Sequence, residues 1–162
     1  NTCAYDGVDM TKNVRSLGLY MGDEGSGGYV GRSLIAAYLR EELPADMRVK
    51  FEERFKDREA EIMENVYKNA FPSRYLASFT PFIRENLDNE FIFKLAFDSF
   101  DAMFNNCLVK YDNYQTIPVG FVGSVAYYLR PALEAVAKKH GVTLGKIIRN
   151  PLEDLSNFHM NG

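Results

Sequence analysis

Residues 17–28 read Leu-Gly-Leu-Tyr-Met-Gly-Asp-Glu-Gly-Ser-Gly-Gly, and this stretch gives the strongest indication of the fold. The apolar run 17–21 predicts a short strand. The dense glycines that follow it, with Gly31 a little further on, predict a sharp turn or a close approach of the backbone to another group. The turn leads into a helix whose first amides favour an anion. Asp23 and Glu24 lie inside the turn, where a carboxylate can accept hydrogen bonds from sugar hydroxyls or hold the helix start.

Two common phosphate-binding motifs do not fit this turn. A P-loop needs lysine after Gly27, where this chain has Gly28. A dinucleotide fingerprint that began at Gly25 would need glycine or alanine at Val30. Asp23 and Glu24 are adjacent, so their side chains point apart on most backbones and do not make a paired acid/base dyad.

A second glycine turn, Val122-Gly123-Ser124-Val125, follows the predicted strand 117–122. Glycine at this point lets a flat ligand lie against the backbone. Tight packing between a strand and a helix also requires such a residue, and the turn alone does not decide between the two.

The rest of the pattern predicts strands near both ends and a mainly helical stretch, 29–111. The predicted helices are 29–43, 47–67, 74–86 with Ser73 as N-cap, 89–111, 124–140 closed by Gly141, and 151–159; the remaining strands are 1–6, 12–16 and 143–149. The phenylalanine-rich stripe of 89–111 favours a packed core over a cofactor site. We therefore expect one α/β domain, 1–162, with a mixed sheet and a long helical insertion.

The composition of the chain argues against several classes of function. The chain has 162 residues and a net charge of -3, which gives no broad attraction for nucleic acid or an anionic membrane. No apolar run approaches the roughly 20 residues of a membrane-spanning helix. Cys3 and Cys107 lie far apart without a zinc or redox motif, as expected for free cysteines of a cytoplasmic protein. His140 and His159 are expected near helix ends, as capping or surface residues.

The two turns together resemble the N-acetylglucosamine kinase and BadF/BadG-type ATPase family of the actin-like sugar kinase superfamily. The Gly-Asp-Glu-Gly-Ser core, 22–26, is quite specific for that family. Residues 119–126, Val-Gly-Phe-Val-Gly-Ser-Val-Ala, look like the superfamily's adenosine motif, and the end from Asn150 to Leu155 resembles its C-terminal helix. The resemblance covers essentially the whole chain.

The resemblance implies the C-terminal domain of the actin-like ATPase (ribonuclease H-like) fold and phosphorylation of an amino sugar, N-acetylglucosamine at its 6-hydroxyl, by ATP with Mg²⁺. Substrate-binding positions carried over from the family are Asn1, Ser16, Leu17, Gly18 and Asp23, and nucleotide-binding positions are Gly123 and Ser124. Mammalian N-acetylglucosamine kinases have tryptophan where this chain has Leu17. The phosphate loops and the general base are expected in an N-terminal domain upstream, so no catalytic residue is assigned here and the chain alone is expected to be inactive. A homodimer is a further expectation.

Two other functions remain open at this point. One is an ATPase of the same superfamily that activates a dehydratase through an iron–sulfur cluster, which needs suitably placed cysteines. The other is a non-catalytic nucleotide or sugar sensor, which would lack the catalytic aspartate.

Overall fold

A computed structural model describes residues 1–56, 59–68 and 70–152 of the chain. The strands are β1 (Thr2–Tyr5), β2 (Met10–Val14), β3 (Val119–Val122) and β4 (Leu144–Ile148). The helices are α1 (Gly18–Met21), α2 (Gly27–Leu39), α3 (Ala45–Phe55), α4 (Glu59–Tyr67), α5 (Pro72–Ala77), α6 (Thr80–Glu85), α7 (Glu90–Asn106), α8 (Ser124–Tyr128) and α9 (Arg130–His140), with a 3₁₀ turn at Leu108–Lys110. The chain is therefore α/β, rich in helix, with small sheets.

The strands form two separate pairs. β1 and β2 make an antiparallel hairpin, and β3 and β4 pair in parallel, as expected for a strand–helix–strand unit. The prediction of one mixed sheet is wrong for the described residues. The two pairs lie against different neighbours: the Tyr111 hydroxyl bonds to Thr2 in the hairpin, whereas the ring of Phe121 in β3 stacks on Phe104 of α7.

The core is built from the helices and contains mainly aliphatic and phenylalanine side chains. Its largest fully buried members are Leu34, Met47, Phe51, Ile62, Leu76, Phe79, Phe82, Ile83, Ile92, Phe100, Phe104 and Leu129. The phenylalanine-rich stripe of α7 contributes Phe100 and Phe104 to this core, as its sequence predicts. Helices α2 and α5 approach very closely, because a methyl group on Gly31 would lie 2.0 Å from the carbonyl oxygen of Leu76.

Helix ends follow local signals. The Asn89 side chain accepts hydrogen bonds from the first amides of α7, and Gly141 ends α9 in the left-handed conformation that glycine tolerates best. Ser73 was predicted as an N-cap and is not one. It lies inside α5, which begins at Pro72, a residue suited to the first helical turn because it has no amide to satisfy.

Three predicted helices are each two helices in the structure. The stretch 74–86 contains α5 and α6, with Pro81 in the first turn of α6, and 124–140 contains α8 and α9, with Pro131 in the first turn of α9. Proline lacks an amide and crowds the preceding turn, so it starts a new helix where the periodicity predicted continuation. The stretch 47–67 contains α3 and α4. The predicted final helix 151–159, with His159, lies almost wholly outside the described residues.

The apolar run 17–21 is helix α1, so the prediction of a strand there is wrong. A short apolar run does not distinguish strand from helix by its pattern. Tyr20 and Met21 are largely exposed, which removes the burial that a buried strand would require. Within the described part of the chain, none of the helices has the length and apolar character needed to cross a bilayer.

Candidate functional site

The first glycine turn, residues 22–26, joins α1 to α2 through two positive-φ residues. Gly25 has φ 79° and Asp23 has φ 61°, a conformation that few non-glycine residues adopt. The amide of Ser26 donates to the carbonyl of Asp23 at 3.0 Å, and the Ser26 hydroxyl then accepts from the amide of Tyr29 as the N-cap of α2. The turn is thus closed by its own hydrogen bonds and leads directly into a capped helix.

One face of α7 contacts this turn. The amide of Gly25 donates to the hydroxyl of Ser99 at 3.2 Å, and the Asn106 side-chain amide donates to Glu24 Oε1 at 2.7 Å. Between them, Met103 packs so closely that a methyl group on Gly25 would lie 2.8 Å from its sulfur. Residues 99, 103 and 106 recur at helical spacing and therefore share a face of α7.

Asp23 and Glu24 have different surroundings. Glu24 is hydrogen-bonded to Asn106, whereas the half-buried carboxylate of Asp23 has no hydrogen bond or ion pair to any residue that the structure describes. Its strained backbone conformation costs on the order of 1 kcal/mol and is maintained by the turn around it. Asp23 is therefore the carboxylate of this turn that remains available to a ligand.

Leu17 and Gly18 contact Gly22, the residue before Asp23, because α1 is a single turn. Gly18 begins α1 with φ 72°, and its carbonyl accepts from the amide of Gly22 at 2.8 Å. The side chain of Leu17 is half exposed and lies beside Gly22, where an added methyl group would be 3.1 Å from Leu17 Cβ. Asn1 and Ser16 are exposed, and no described contact joins them to Asp23.

The second turn lies between β3 and α8. Gly123 has φ 131°, and its amide donates to the carbonyl of Ile148 at the end of β4 at 2.8 Å. Ser124 is exposed at the start of α8. In an open sheet, ligands bind beyond the carboxyl ends of parallel strands, which is the position of this turn relative to β3 and β4.

The structure brings the starts of α2 and α8 together, although about a hundred residues separate them in the sequence. A methyl group on Gly27, the first residue of α2, would lie 3.4 Å from the side chain of Val125 in α8 and close to Ala77 and Thr80. Glycine at position 27 permits this approach. The helices that begin at the two predicted turns therefore approach each other at their first turns, at Gly27 and Val125.

Helix α9, which follows the second turn, is fixed to α7 by an ion cluster. Lys139 donates to both carboxylate oxygens of Asp101 at 2.8 Å, and His140 Nε2 lies 2.7 Å from Asp101 Oδ1. Burial by itself raises the pKa of Asp101, but the bonds and charges from Lys139 and His140 outweigh it and hold that pKa below its usual value. His140 is thus the last residue of α9 and part of a structural contact, in line with its expected position at a helix end.

The cysteines are separate and free, with Cys3 exposed and Cys107 half-buried. Burial is the main cause that raises the pKa of the Cys107 thiol, and the charge of Glu24 adds to it. Among the described residues, no three histidine, cysteine or acidic side chains converge as a metal site would require.

Ser99 and Asn106 are the contributors to the first turn that the sequence analysis missed. Ser99 is 3 % exposed, a buried polar residue within an otherwise apolar stripe, and a buried hydroxyl needs a partner. That exception in the stripe was the available signal. Asn106 gave no comparable signal, because it is the last residue of α7 and is itself exposed.

Comparison with known proteins shows a likeness to a solved structure. Neither a family model nor a curated protein matches the chain. A crystal structure of the "putative N-acetylglucosamine kinase" of Porphyromonas gingivalis matches with a TM-score of 0.92 and 38% sequence identity over 99% of this chain. This chain spans 56% of that protein's length and corresponds to its C-terminal part. The resemblance predicted from the two glycine turns, to the C-terminal part of an N-acetylglucosamine kinase, is therefore confirmed over nearly the whole chain.

Proposed function

We propose that this chain is part of an ATP-dependent sugar kinase that transfers the γ-phosphoryl group of ATP to an amino sugar, N-acetylglucosamine at its 6-hydroxyl. The observation that carries the proposal is the likeness to the P. gingivalis protein, at 38% identity over 99% of this chain. The geometry of the two glycine turns adds to it, since the helices that follow them approach each other at their first turns and one turn presents an available carboxylate.

The proposal includes the fold of the complete protein. The parallel pair β3–β4 with a glycine turn at its carboxyl edge, and the helical stretch between the two turns, fit the C-terminal domain of an actin-like ATPase. In this proposal, residues 1–162 form one domain, and the phosphate loops and the general base belong to an N-terminal domain. The 162-residue chain alone would then transfer no phosphate.

Asp23 takes the central role in substrate binding. A carboxylate that has no hydrogen-bond or ion-pair partner among the described residues can accept hydrogen bonds from two neighbouring sugar hydroxyls, and such charged hydrogen bonds are stronger than neutral ones. Leu17 and Gly18 would line the same side of the sugar, because α1 places them beside Gly22, the residue before Asp23. Asn1 and Ser16 are assigned to the sugar only through the family resemblance.

The Gly123–Ser124 turn would seat the nucleotide. Gly123 has no side chain, so a flat base or ribose can approach its backbone, and Ser124 presents an exposed hydroxyl beside it. Mg²⁺ would be bound by the phosphates of ATP and would offset their negative charge during transfer. The described residues of this chain hold no cluster that fits Mg²⁺, so no step here is assigned to the metal.

The test is a coupled assay of ADP release on the full-length protein with a panel of hexoses and N-acetylhexosamines. We expect ADP release to depend on N-acetylglucosamine, with N-acetylglucosamine 6-phosphate as the product by mass and NMR. ATP turnover that is independent of every sugar would instead indicate the ATPase alternative. Binding of nucleotide and sugar without turnover would indicate a sensor, and either result would overturn the proposed kinase.

A further inference from the structure

A cluster of two arginines and a tyrosine lies beside the second turn and has no role in the site described above. The guanidinium carbon of Arg84 lies 4.9 Å from the ring centroid of Tyr128, and that of Arg149 lies 5.2 Å from the same centroid. These residues come from three elements, the end of α6, the end of α8 and the residue after β4. The fold therefore assembles the cluster from distant parts of the sequence.

The cluster lies at the edge of the sheet where a ligand is expected. Arg149 directly follows the last residue of β4, and Gly123 directly follows the last residue of β3, its parallel partner. The hydrogen bond from the Gly123 amide to the Ile148 carbonyl fixes the two strand ends side by side. Tyr128 lies four residues after Ser124 in α8 and so shares its helix face.

The cluster carries an excess of positive charge. Arg84 has a carboxylate partner in Glu85, at 3.1 Å, but Glu85 also pairs with Arg54. No ion pair joins Arg149 to a carboxylate within residues 1–56, 59–68 and 70–152, and its side chain is exposed. Two guanidinium groups beside one ring repel each other, and an anionic or π-rich ligand relieves that repulsion.

We propose that Arg149 is a nucleotide-binding residue whose guanidinium stacks on the base of the nucleotide seated at Gly123–Ser124. The guanidinium plane has two faces. The guanidinium of Arg149 lies over the ring of Tyr128 at 5.2 Å, and the residue is exposed, so a flat aromatic ring can approach the guanidinium from its solvent side as far as the described residues are concerned. Arg84, near the end of α6, also lies beside the ring of Tyr128 and adds positive charge near the nucleotide. The inference rests on the proposed function only in that the ligand is the nucleotide.

The test measures the Kd of ADP for the full-length protein by isothermal titration calorimetry, with inorganic pyrophosphate as a second probe. We expect Arg149→Ala to weaken ADP binding about five- to thirtyfold and pyrophosphate binding much less. Arg149→Lys keeps the charge but loses the planar group, so it should weaken ADP binding nearly as much. Tyr128→Phe should bind ADP normally because it keeps the ring, whereas Tyr128→Leu should resemble Arg149→Ala.

Arg48→Ala is the matched control, because Arg48 also lies over a tyrosine, Tyr38, at 5.7 Å, but away from β3 and β4. Its ADP affinity should equal that of the wild type. Wild-type affinity in Arg149→Ala, or full rescue by Arg149→Lys, would overturn the inference. ADP binding that needs Arg149 in a protein that phosphorylates no sugar would support the inference while overturning the kinase. If the wild-type protein phosphorylates a sugar and Arg149→Ala binds ADP normally, the kinase is supported and the role of Arg149 is overturned.

Discussion

Asn106 and Glu24 are 82 positions apart in the sequence, yet the side-chain amide of Asn106 donates to the carboxylate of Glu24 at 2.7 Å. This bond joins the end of α7 to the first glycine turn. It also distinguishes two adjacent acidic residues, because Glu24 is hydrogen-bonded to Asn106 whereas the carboxylate of Asp23 has no partner in the part of the chain that the structure describes. The kinetic effects expected of changes at Asp23, Glu24 and Asn106 depend on that difference.

Asp23→Asn in the full-length protein should lower kcat/KM for the sugar and leave the KM for ATP nearly unchanged. Asparagine keeps the size of the side chain but loses the charge and one acceptor. A hydrogen bond from a charged group contributes about 1.5–3 kcal/mol, which corresponds to a loss of roughly ten- to hundredfold. Steady-state kinetics with each substrate varied in turn would measure it.

Glu24→Gln is the control for Asp23→Asn. Glutamine retains the oxygen that accepts from Asn106, so this variant should keep nearly normal kinetics. If the two variants behave alike, or if Asp23→Asn lowers the melting temperature and leaves sugar kinetics intact, then Asp23 has a structural role and the sugar assignment is wrong.

Asn106→Ala should loosen the first turn and lower kcat/KM for the sugar by roughly two- to tenfold, since a single hydrogen bond contributes about 0.5–1.5 kcal/mol. Asn105→Ala is the matched control on the same helix, because Asn105 is exposed and its side chain bonds to Asp101 at 3.3 Å rather than to the turn. Equal kinetics in the two variants would show that the Asn106–Glu24 bond does not position the turn.

Much of the fold at the two ends of the chain follows from local signals. The predicted strands 1–6 and 12–16 correspond to β1 and β2, and the strand–glycine–helix–strand order predicts the parallel pair β3–β4. Gly141 predicts the end of α9. These features depend on residues a few positions apart, whose conformational preferences act in the same way in any protein.

The contacts that hold the first glycine turn in place were not predictable from such local signals. The contacts of Ser99 and Asn106 with the first turn join residues 74 and 82 positions apart, and nothing in the local pattern of α7 indicates their partners. The apolar run 17–21 was misread because five apolar residues fit a strand or a helix equally well. Tertiary packing decided the first case, whereas α1 has no buried residues.

Asp101→Asn should destabilise the protein at pH 7 by about 1–2 kcal/mol, because asparagine lacks the negative charge and one of the two acceptor oxygens that Lys139 and His140 contact. Lys139 and His140 hold the pKa of Asp101 below its usual 3.8 in the folded state. A lowered folded-state pKa contributes stability above the unfolded-state value, and that contribution is lost as the pH falls through the folded-state pKa. The difference in melting temperature between the wild type and Asp101→Asn should therefore shrink from pH 7 towards pH 3.

Asp98→Asn is the control for this pH dependence. Asp98 lies on the same helix and pairs with Lys94, but both side chains are largely exposed, so the change should cost no more than about 0.5 kcal/mol. A difference between wild type and Asp101→Asn that stays constant with pH would contradict the assignment of charge to this cluster.

Gly31→Ala should destabilise the protein by about 3 kcal/mol or more, although alanine is the better helix former by about 1 kcal/mol. The added methyl group would lie 2.0 Å from the carbonyl oxygen of Leu76 and 2.7 Å from its carbonyl carbon. These are backbone atoms of α5 at its buried residue Leu76, so no side-chain rotation relieves the overlap, and α2 and α5 must move apart. Gly28→Ala is the control in the same helix, because its nearest neighbour there is 3.4 Å away, an ordinary contact distance. Urea unfolding followed by far-ultraviolet circular dichroism would give both free energies. If Gly31→Ala unfolds at the same urea concentration as Gly28→Ala, the close approach of α2 to α5 is not what requires glycine at position 31.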